Sequence, residues 1–285
     1  MKSTSIDITG KLPKGLVEIY SDIAAHTSAL GIDYLVVGAM ARDLVLVHGY
    51  GSTIERGTRD IDFGINVASW EDFDALGKRI LEAGYEPDSK QWHRFSCRDE
   101  EGLPWEIDIL PFGAIADKDA TISWPPKQES LMTVLGFAEA AENALAVTIN
   151  HDPKIVIPVA SPVGVSILKL VSWTERVEFK GKDASDFQYL IRSYTNIPEI
   201  NDAIYQDGQM EAQAWDEGKA SAMKLGQDAN AVVLPKTREY LRRELFDQTD
   251  KVDQFARDME RGSNSDLAEC SEWLAIFTET FLANS

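Results

Sequence analysis

The chain has 285 residues, of which 44% are hydrophobic and 26% are charged. This balance is typical of globular proteins and excludes a disordered chain, a collagen-like chain and a disulfide-rich miniprotein. The 47 acidic and 28 basic residues give a net charge of −19, which argues against tight non-specific binding to nucleic acid or to an anionic membrane. No apolar run approaches the roughly 20 residues that cross a bilayer, so no membrane partner is expected. Without a secretory signal, and with only Cys97 and Cys270, we expect a cytoplasmic location.

The first 160 residues alternate helical and strand patterns, which predicts an α/β (α+β) domain built on a sheet. Helices are predicted at Leu16–Leu30, Ala39–Val47 and Trp70–Ala83, the last with Ser69 as its N-cap. Strands are predicted at Tyr34–Val37, Ile61–Val67, Phe95–Cys97, Trp105–Leu110 and Lys154–Val159.

After residue 160 the strand patterns almost disappear, and Ser161-Pro162 has the composition of a helix start. The helices predicted there are Val163–Glu178, Asp183–Tyr194, Pro235–Phe255 and Leu267–Leu282, with a loop at 195–202. We therefore expect two domains, a sheet domain at 1–160 and a helical domain at 161–285.

Two acidic strands carry the most informative pattern in the sequence. Because side chains alternate along a strand, Asp60 and Asp62 share one face, and Glu106 and Asp108 share a face of a later strand. If the strands are neighbours, Asp60, Asp62 and Asp108 form a carboxylate cluster suited to Mg²⁺ or Mn²⁺, and three carboxylates can hold two metal ions for phosphoryl transfer. A single Asp-x-Asp is usually only a solvated strand edge; its combination with a second acidic strand favours the metal site.

A glycine turn precedes this pattern. Gly38 and Ala39 lie between a strand and a helix, where backbone N–H groups can approach a phosphate, and Arg42 lies one turn further on. The alternative is that Gly38 only permits tight packing and that Arg42 pairs with Asp43 or Asp62. No G-x-G-x-x-G or P-loop motif is present, which argues against a dinucleotide-binding fold or a P-loop fold.

Together these motifs resemble the nucleotidyltransferase superfamily, which has the polymerase-beta-like fold. Its members have a glycine turn, an Asp-x-Asp strand and a third aspartate on a later strand, matched here by Gly38, Asp60/Asp62 and Asp108. The resemblance implies a mixed sheet with flanking helices. Ala39 stands where the superfamily usually has serine.

Within the superfamily, the chain most resembles the AbiEii/AbiGii toxin-like group. The matching segments are Val37-Gly38-Ala39-Met40-Ala41, Arg56-x-Thr58-x-Asp60-Ile61-Asp62-Phe63, Lys169-Leu170, Arg176, Lys182-Asp183 and Asp186-Phe187. The CCA-adding and poly(A) polymerases share the pattern around Gly38, but their later signature is missing here.

The resemblance implies a metal-dependent enzyme that moves a nucleoside monophosphate from an NTP to an acceptor. Asp60 and Asp62 would bind two metal ions, and Asp108 would bind the catalytic ion and help to deprotonate the acceptor. The residues implied in nucleotide binding are Gly38, Ala39, Arg42, Lys169, Lys182 and Asp183.

The resemblance further implies a toxin with an antitoxin partner, acting on tRNA or protein. A small-molecule acceptor, as in antibiotic nucleotidyltransferases, stays open because the chain is so acidic. The chain could also be a catalytically silent nucleotide-binding protein, which Ala39 favours, or an NTP-binding regulator.

The segment from 161 to 200 is neutral, with 5 basic and 5 acidic residues. We interpret Lys169 and Lys182 as part of a triphosphate-binding wall; the alternative is ordinary helix-surface pairs such as Lys182–Asp186. Exposed ion pairs contribute only about 0–1 kcal/mol to stability. We therefore expect Lys169→Ala to weaken NTP affinity with little change in melting temperature. For Trp92, His93 and Arg94 we expect a loop packed on the domain edge rather than a base-stacking contact.

Overall fold

An eight-stranded mixed sheet organises the first half of the chain, which confirms the mixed sheet expected from the sequence. The computed structural model describes residues 5–55, 57–125, 131–175, 180–261 and 265–283. It divides into two units, Met1–Gly49 with Thr53–Ser161, and Tyr50–Ser52 with Pro162–Ser285.

The strands of the first unit are short to medium in length. They are β1 (Ile6–Asp7), β2 (Asp33–Val37), β3 (Asp60–Asn66), β4 (Glu86–Pro87), β5 (Arg94–Arg98), β6 (Pro104–Phe112), β7 (Thr121–Ser123), β8 (Leu131–Thr133), β9 (Leu145–His151) and β10 (Lys154–Val159). The main sheet has the order β1-β9-β10-β2-β3-β6-β5-β4, while β7 and β8 form a separate pair. At the centre, β3 is antiparallel to β2 and parallel to β6, and β6 is antiparallel to β5.

Four helices of the first unit lie within its described residues: α1 (Lys14–Leu30), α2 (Gly38–Arg42), α3 (Trp70–Glu82) and α4 (Phe137–Glu142). The Ser69 hydroxyl accepts the backbone N–H of Asp72 at 3.2 Å, so it caps α3 as its sequence predicts. The helix after the glycine turn is α-helical only over α2 and continues as a π-helical segment over Asp43–Gly49.

All elements of the second unit are helical within its described residues. They are α5 (Pro162–Glu175), α6 (Lys180–Ser193), a 3₁₀ turn (Tyr194–Asn196), α7 (Pro198–Gln206), α8 (Gln209–Ala212), α9 (Glu217–Val232), α10 (Pro235–Leu241), a π-helical turn (Arg242–Phe246), α11 (Thr249–Glu260) and α12 (Leu267–Phe281). Edge-to-face rings fill the interior, with the Phe187 ring 5.4 Å from Phe255 and 4.9 Å from Phe277.

Two predictions for this unit are wrong. The single helix expected at Pro235–Phe255 is interrupted after Phe246, and a new helix begins at Thr249. Side chains satisfy carbonyls at the break, because Lys251 Nζ donates to the Glu244 carbonyl at 2.7 Å and Gln248 Nε2 to the Arg243 carbonyl at 3.1 Å. The loop expected at 195–202 is mostly helix, because Pro198 takes the first position of α7, where its missing N–H costs nothing.

No helix within the described residues is both long enough and apolar enough to span a bilayer.

The contact between α9 and α12 supplies a stability prediction. A Cβ at Gly226 would overlap the Thr280 hydroxyl and lie 2.7 Å from the backbone oxygen of Phe277, which cannot move aside as a side chain can. We expect Gly226→Ala to destabilise the protein by about 1–3 kcal/mol through overpacking. Urea denaturation measures this free energy of unfolding.

Gly181→Ala in α6 is the matched control, because no atom from elsewhere in the described part of the chain lies within 4 Å of its Cβ position. There the loss of glycine's flexibility should stabilise the helix by up to about 1 kcal/mol. Equal effects of the two substitutions would contradict the close packing of α9 on α12.

Candidate active site

Four carboxylates meet on one face of the sheet because of the register between β3 and β6. Asp60 is the register partner of Glu106, and Asp62 is the partner of Asp108. Paired residues of neighbouring strands point to the same side, and such strands lie about 4.8 Å apart. The structure thus brings together the three aspartates that the sequence singled out and adds Glu106 beside them.

The opposite face of the same strands holds the acidic residues in place. Ile61, Phe63 and Ile107 are fully buried, and Phe63 packs edge-on against Tyr20 with ring centroids 5.9 Å apart. A one-residue slip of β3 would expose this apolar set and bury the aspartates. The register that buries the core therefore also fixes the carboxylates.

Gly38 lies against one of these carboxylates. Its φ is +71°, and a Cβ at this position would overlap the Asp62 carboxylate, 2.9 Å from Cγ. Glycine is required twice, for its backbone conformation and for the space that Asp62 occupies. The next residue, Ala39, is buried.

Arg42 does not lie where a phosphate-binding residue is expected. Its side chain is 3% exposed, and its Nε and Nη2 donate to Asp43 Oδ1 at 2.8 Å and 2.7 Å. A buried guanidinium needs a partner charge, and Asp43 supplies one. The structure favours this ion pair over a phosphate contact.

Arg94 is the residue that the sequence prediction missed. It begins β5 opposite Asp108, so it lies on the strand and not in a loop before it. Its Nε and Nη2 donate to the two oxygens of Asp108, each at 2.7 Å, and its Nη1 donates to Glu106 Oε2 at 2.9 Å. The hydrogen bonds to Asp108 raise the pKa of Arg94, despite its partial burial, and keep it charged. The signal was the strand alternation, because Phe95 is buried and its neighbours must face the other side.

These contacts change the metal site that the sequence predicts. Within the described ranges, no group of three or more histidine, cysteine, aspartate or glutamate residues is arranged to hold a metal ion. Both oxygens of Asp108 accept hydrogen bonds from Arg94 in this structure, so the role of Asp108 as a third metal ligand stays a prediction. Asp60 and Asp62 still fit Mg²⁺, which proteins commonly bind through one or two carboxylates together with substrate phosphates.

The predicted phosphate-binding lysines lie in the second unit. Lys169 Nζ on α5 lies 2.6 Å from Asp186 Oδ2 and 3.0 Å from Asp183 Oδ1 on α6. The Lys169 side chain is 12% exposed and both carboxylates are 2% exposed. Burial lowers the pKa of Lys169, but attraction to Asp186 and Asp183 outweighs it and the net pKa is raised.

The premise that Lys169 makes only exposed ion pairs is therefore wrong. Asp183, also expected to bind nucleotide, is buried beside Lys169, whereas Lys182 is exposed on α6. Arg176 and Arg56 of the family pattern lie outside the described residues.

A known protein family matches most of the chain. The family model described as "Nucleotidyl transferase AbiEii toxin, Type IV TA system" matches residues 23–277. No curated protein matches.

Several solved structures also match. A nucleotidyltransferase-like protein from Paracoccidioides brasiliensis is 19% identical over 72% of this chain and 93% of that chain, with a TM-score of 0.42. The lincosamide antibiotic adenylyltransferase LnuA, bound to lincomycin, is 16% identical over 63% of this chain and 98% of that chain, with a TM-score of 0.37.

The Gly38 turn supplies a prediction for the first unit. We expect Gly38→Ala to destabilise the protein by about 1–3 kcal/mol, because alanine is strained at this φ and its methyl group displaces the Asp62 carboxylate. The midpoint of urea denaturation measures this. Gly57→Ala is the control, because no atom of another described residue, chain neighbours aside, lies within 4 Å of the added Cβ. A similar denaturation midpoint for both variants would contradict the prediction.

The Lys169 cluster supplies a prediction for the second unit. Lys169→Met leaves Asp183 and Asp186 buried without their cation, and we expect a loss of about 3–5 kcal/mol. Exposed Lys182→Met is the control, with a change within about 0.5 kcal/mol. Chemical denaturation measures the change in the free energy of unfolding for each variant.

The same cluster predicts a pH dependence. Because the folded pKa of Lys169 is raised above 10.5, its contribution to stability is complete below that pH and is lost as pH rises through the raised pKa. As pH rises, the difference in the free energy of unfolding between wild type and Lys169→Met should therefore begin to narrow in strongly alkaline solution. If this difference already narrows as pH rises from about 6 to 9, a group other than Lys169 controls it.

Proposed function

The chain belongs to the AbiEii family of nucleotidyl transferase toxins of type IV toxin–antitoxin systems, and from this premise we propose that it transfers a nucleoside monophosphate from an NTP to an acceptor. The observation that carries the proposal is the register of β3 and β6, which places Asp60 and Asp62 beside Asp108 and Glu106. Pyrophosphate is the second product.

The electrostatics of this face support a cationic cofactor. Of the described side chains singled out on this face, four are carboxylates and one is a guanidinium, so this set carries a net negative charge where an anionic triphosphate would bind. Two unit charges about 4 Å apart at an effective dielectric of about 20 interact with roughly 4 kcal/mol, so the triphosphate needs additional positive charge. Asp60 and Asp62 would hold Mg²⁺ or Mn²⁺, which neutralises the phosphates and polarises the reacting phosphorus–oxygen bond.

The chain's own residues then position the reactants. The glycine turn at Gly38 brings the backbone close to Asp62, and its N–H groups would bind phosphate oxygens beside that carboxylate. Exposed Asp60 lies next to it on the same strand face. Catalysis would come from in-line positioning and neutralised charge, without a covalent enzyme intermediate.

The acceptor would be tRNA, a protein or a small molecule, and the family implies an antitoxin partner. The charge of −19 makes broad binding to tRNA less favourable than a protein or small-molecule acceptor.

A catalytically silent nucleotide-binding protein is the second candidate, and the buried methyl group of Ala39 favours it. With alanine in this position, the turn has no side-chain hydroxyl to offer a phosphate. The two candidates differ in one product, because only the transferase releases pyrophosphate when NTP and acceptor are supplied.

Removing one carboxylate tests the proposed metal–nucleotide site. We expect Asp60→Asn to weaken binding of a magnesium-bound, non-hydrolysable NTP analogue by about tenfold or more, because a hard cation loses a charged oxygen ligand. Titration calorimetry measures the affinity.

Asp74→Asn is the matched control, since Asp74 is an exposed carboxylate on α3 of the same unit. It should bind as the wild type does. Unchanged affinity in Asp60→Asn would reject the assignment of the site.

A further inference from the structure

The guanidinium of Arg94 lies among three carboxylates of the candidate active site. It contacts Asp108 through two hydrogen bonds and Glu106 through one, and Asp60 is close enough to raise the pKa of Arg94 as well. Side-on binding of this kind, with two parallel N–H···O bonds, is the strongest arrangement between arginine and a carboxylate. Arg94 is therefore a resident positive charge of this face.

The position of Arg94 is determined by the backbone. Antiparallel pairing of β5 with β6 places Arg94 opposite Asp108, and the buried pair Phe95 and Ile107 follows at the next register position. The Arg94 side chain is 24% exposed and that of Asp108 only 11%. The ion pair is thus partly desolvated and held by the same register as the core.

A second divalent cation beside Asp108 would compete with this guanidinium. It would need oxygens that already accept hydrogen bonds from Arg94, and it would be repelled by the arginine charge. The hydrogen bonds that Arg94 makes to described residues go to Asp108 and Glu106 on β6.

Arg94 also retains donors for a ligand. A guanidinium has five N–H groups, and three of them are used by Asp108 and Glu106. Among the described residues no further acceptor binds Arg94, so the remaining two N–H groups, one on each Nη, are available for phosphate oxygens. Arginine is well suited to this, because its planar fork matches phosphate geometry.

We propose that Arg94 takes the place of a second metal ion: the site binds one divalent cation through Asp60 and Asp62, while Asp108 and Glu106 position Arg94 against the triphosphate. This inference rests on the proposed function. Asp108 is then a positioning residue for Arg94 and does not bind metal.

Counting the bound metal ions tests the proposal. Electron paramagnetic resonance of Mn²⁺, with the full chain and a non-hydrolysable NTP analogue, should give one protein-bound ion per chain in the ternary complex. Two ions would overturn the proposal and leave the nucleotidyltransferase function standing. No bound ion would overturn both.

Two substitutions separate the role of Arg94 from that of a metal ligand. Asp108→Asn should still give one bound Mn²⁺ per chain, because Asp108 is not a ligand of that ion, whereas loss of a true carboxylate ligand would lower the Mn²⁺ affinity by about tenfold or more. Arg94→Met should weaken binding of the nucleotide analogue by about tenfold or more, because charge-assisted hydrogen bonds to phosphate are lost.

Arg98→Met is the matched control, an exposed arginine on the same strand that donates to the Gly102 carbonyl. It should bind nucleotide and Mn²⁺ as the wild type does. Arg94→Lys keeps the charge without the planar fork and should bind nucleotide with intermediate affinity, which gives a second measurement if Arg94→Met does not fold. Wild-type nucleotide affinity in folded Arg94→Met, or in Arg94→Lys if Arg94→Met fails to fold, would overturn the proposal.

Discussion

The crowding of carboxylates on neighbouring strands is the constraint on which the first unit depends. Asp60 and Asp62 on β3 face the same side as Glu106 and Asp108 on β6, and the parallel register gives them no room to separate. Such repulsion is tolerated only where positive charge compensates it. Arg94 supplies part of that charge through its three hydrogen bonds, and the proposed divalent cation would supply more.

The position of the Asp62 carboxylate also explains why the turn before β3 contains glycine. The backbone at Gly38 approaches the Asp62 carboxylate so closely that no side chain fits between them. The apolar face of β3, with Ile61 and Phe63, is buried in the core and prevents the strand from slipping. Stability and the proposed activity therefore depend on one register, because the pairing of β3 with β6 fixes the backbone positions of the four acidic residues.

Local patterns in the sequence predicted the elements of the sheet and the faces of its acidic strands, because alternation has a period of two residues. Strand pairing is not local, so the ion pair of Arg94 with Asp108, 14 residues later, depends on a register that no short pattern contains. The burial of Lys169 was missed for a similar reason, since Asp183 and Asp186 reach it from another helix. The break after Phe246 was missed because the apolar spacing continues through it.

Nucleotide chemistry at Asp60 and Asp62, with Arg94 as the second positive charge, can be observed in one experiment. That experiment is a crystal structure of the chain with Mn²⁺ and a non-hydrolysable NTP, with the metal located by anomalous scattering. We expect one peak bound by Asp60 and Asp62, phosphate oxygens within hydrogen-bonding distance of Arg94, and an intact pair between Arg94 and Asp108. A metal peak bound by Asp108 with Arg94 displaced would contradict the single-metal site at Asp60 and Asp62. A nucleotide bound away from this face would contradict the proposed active site.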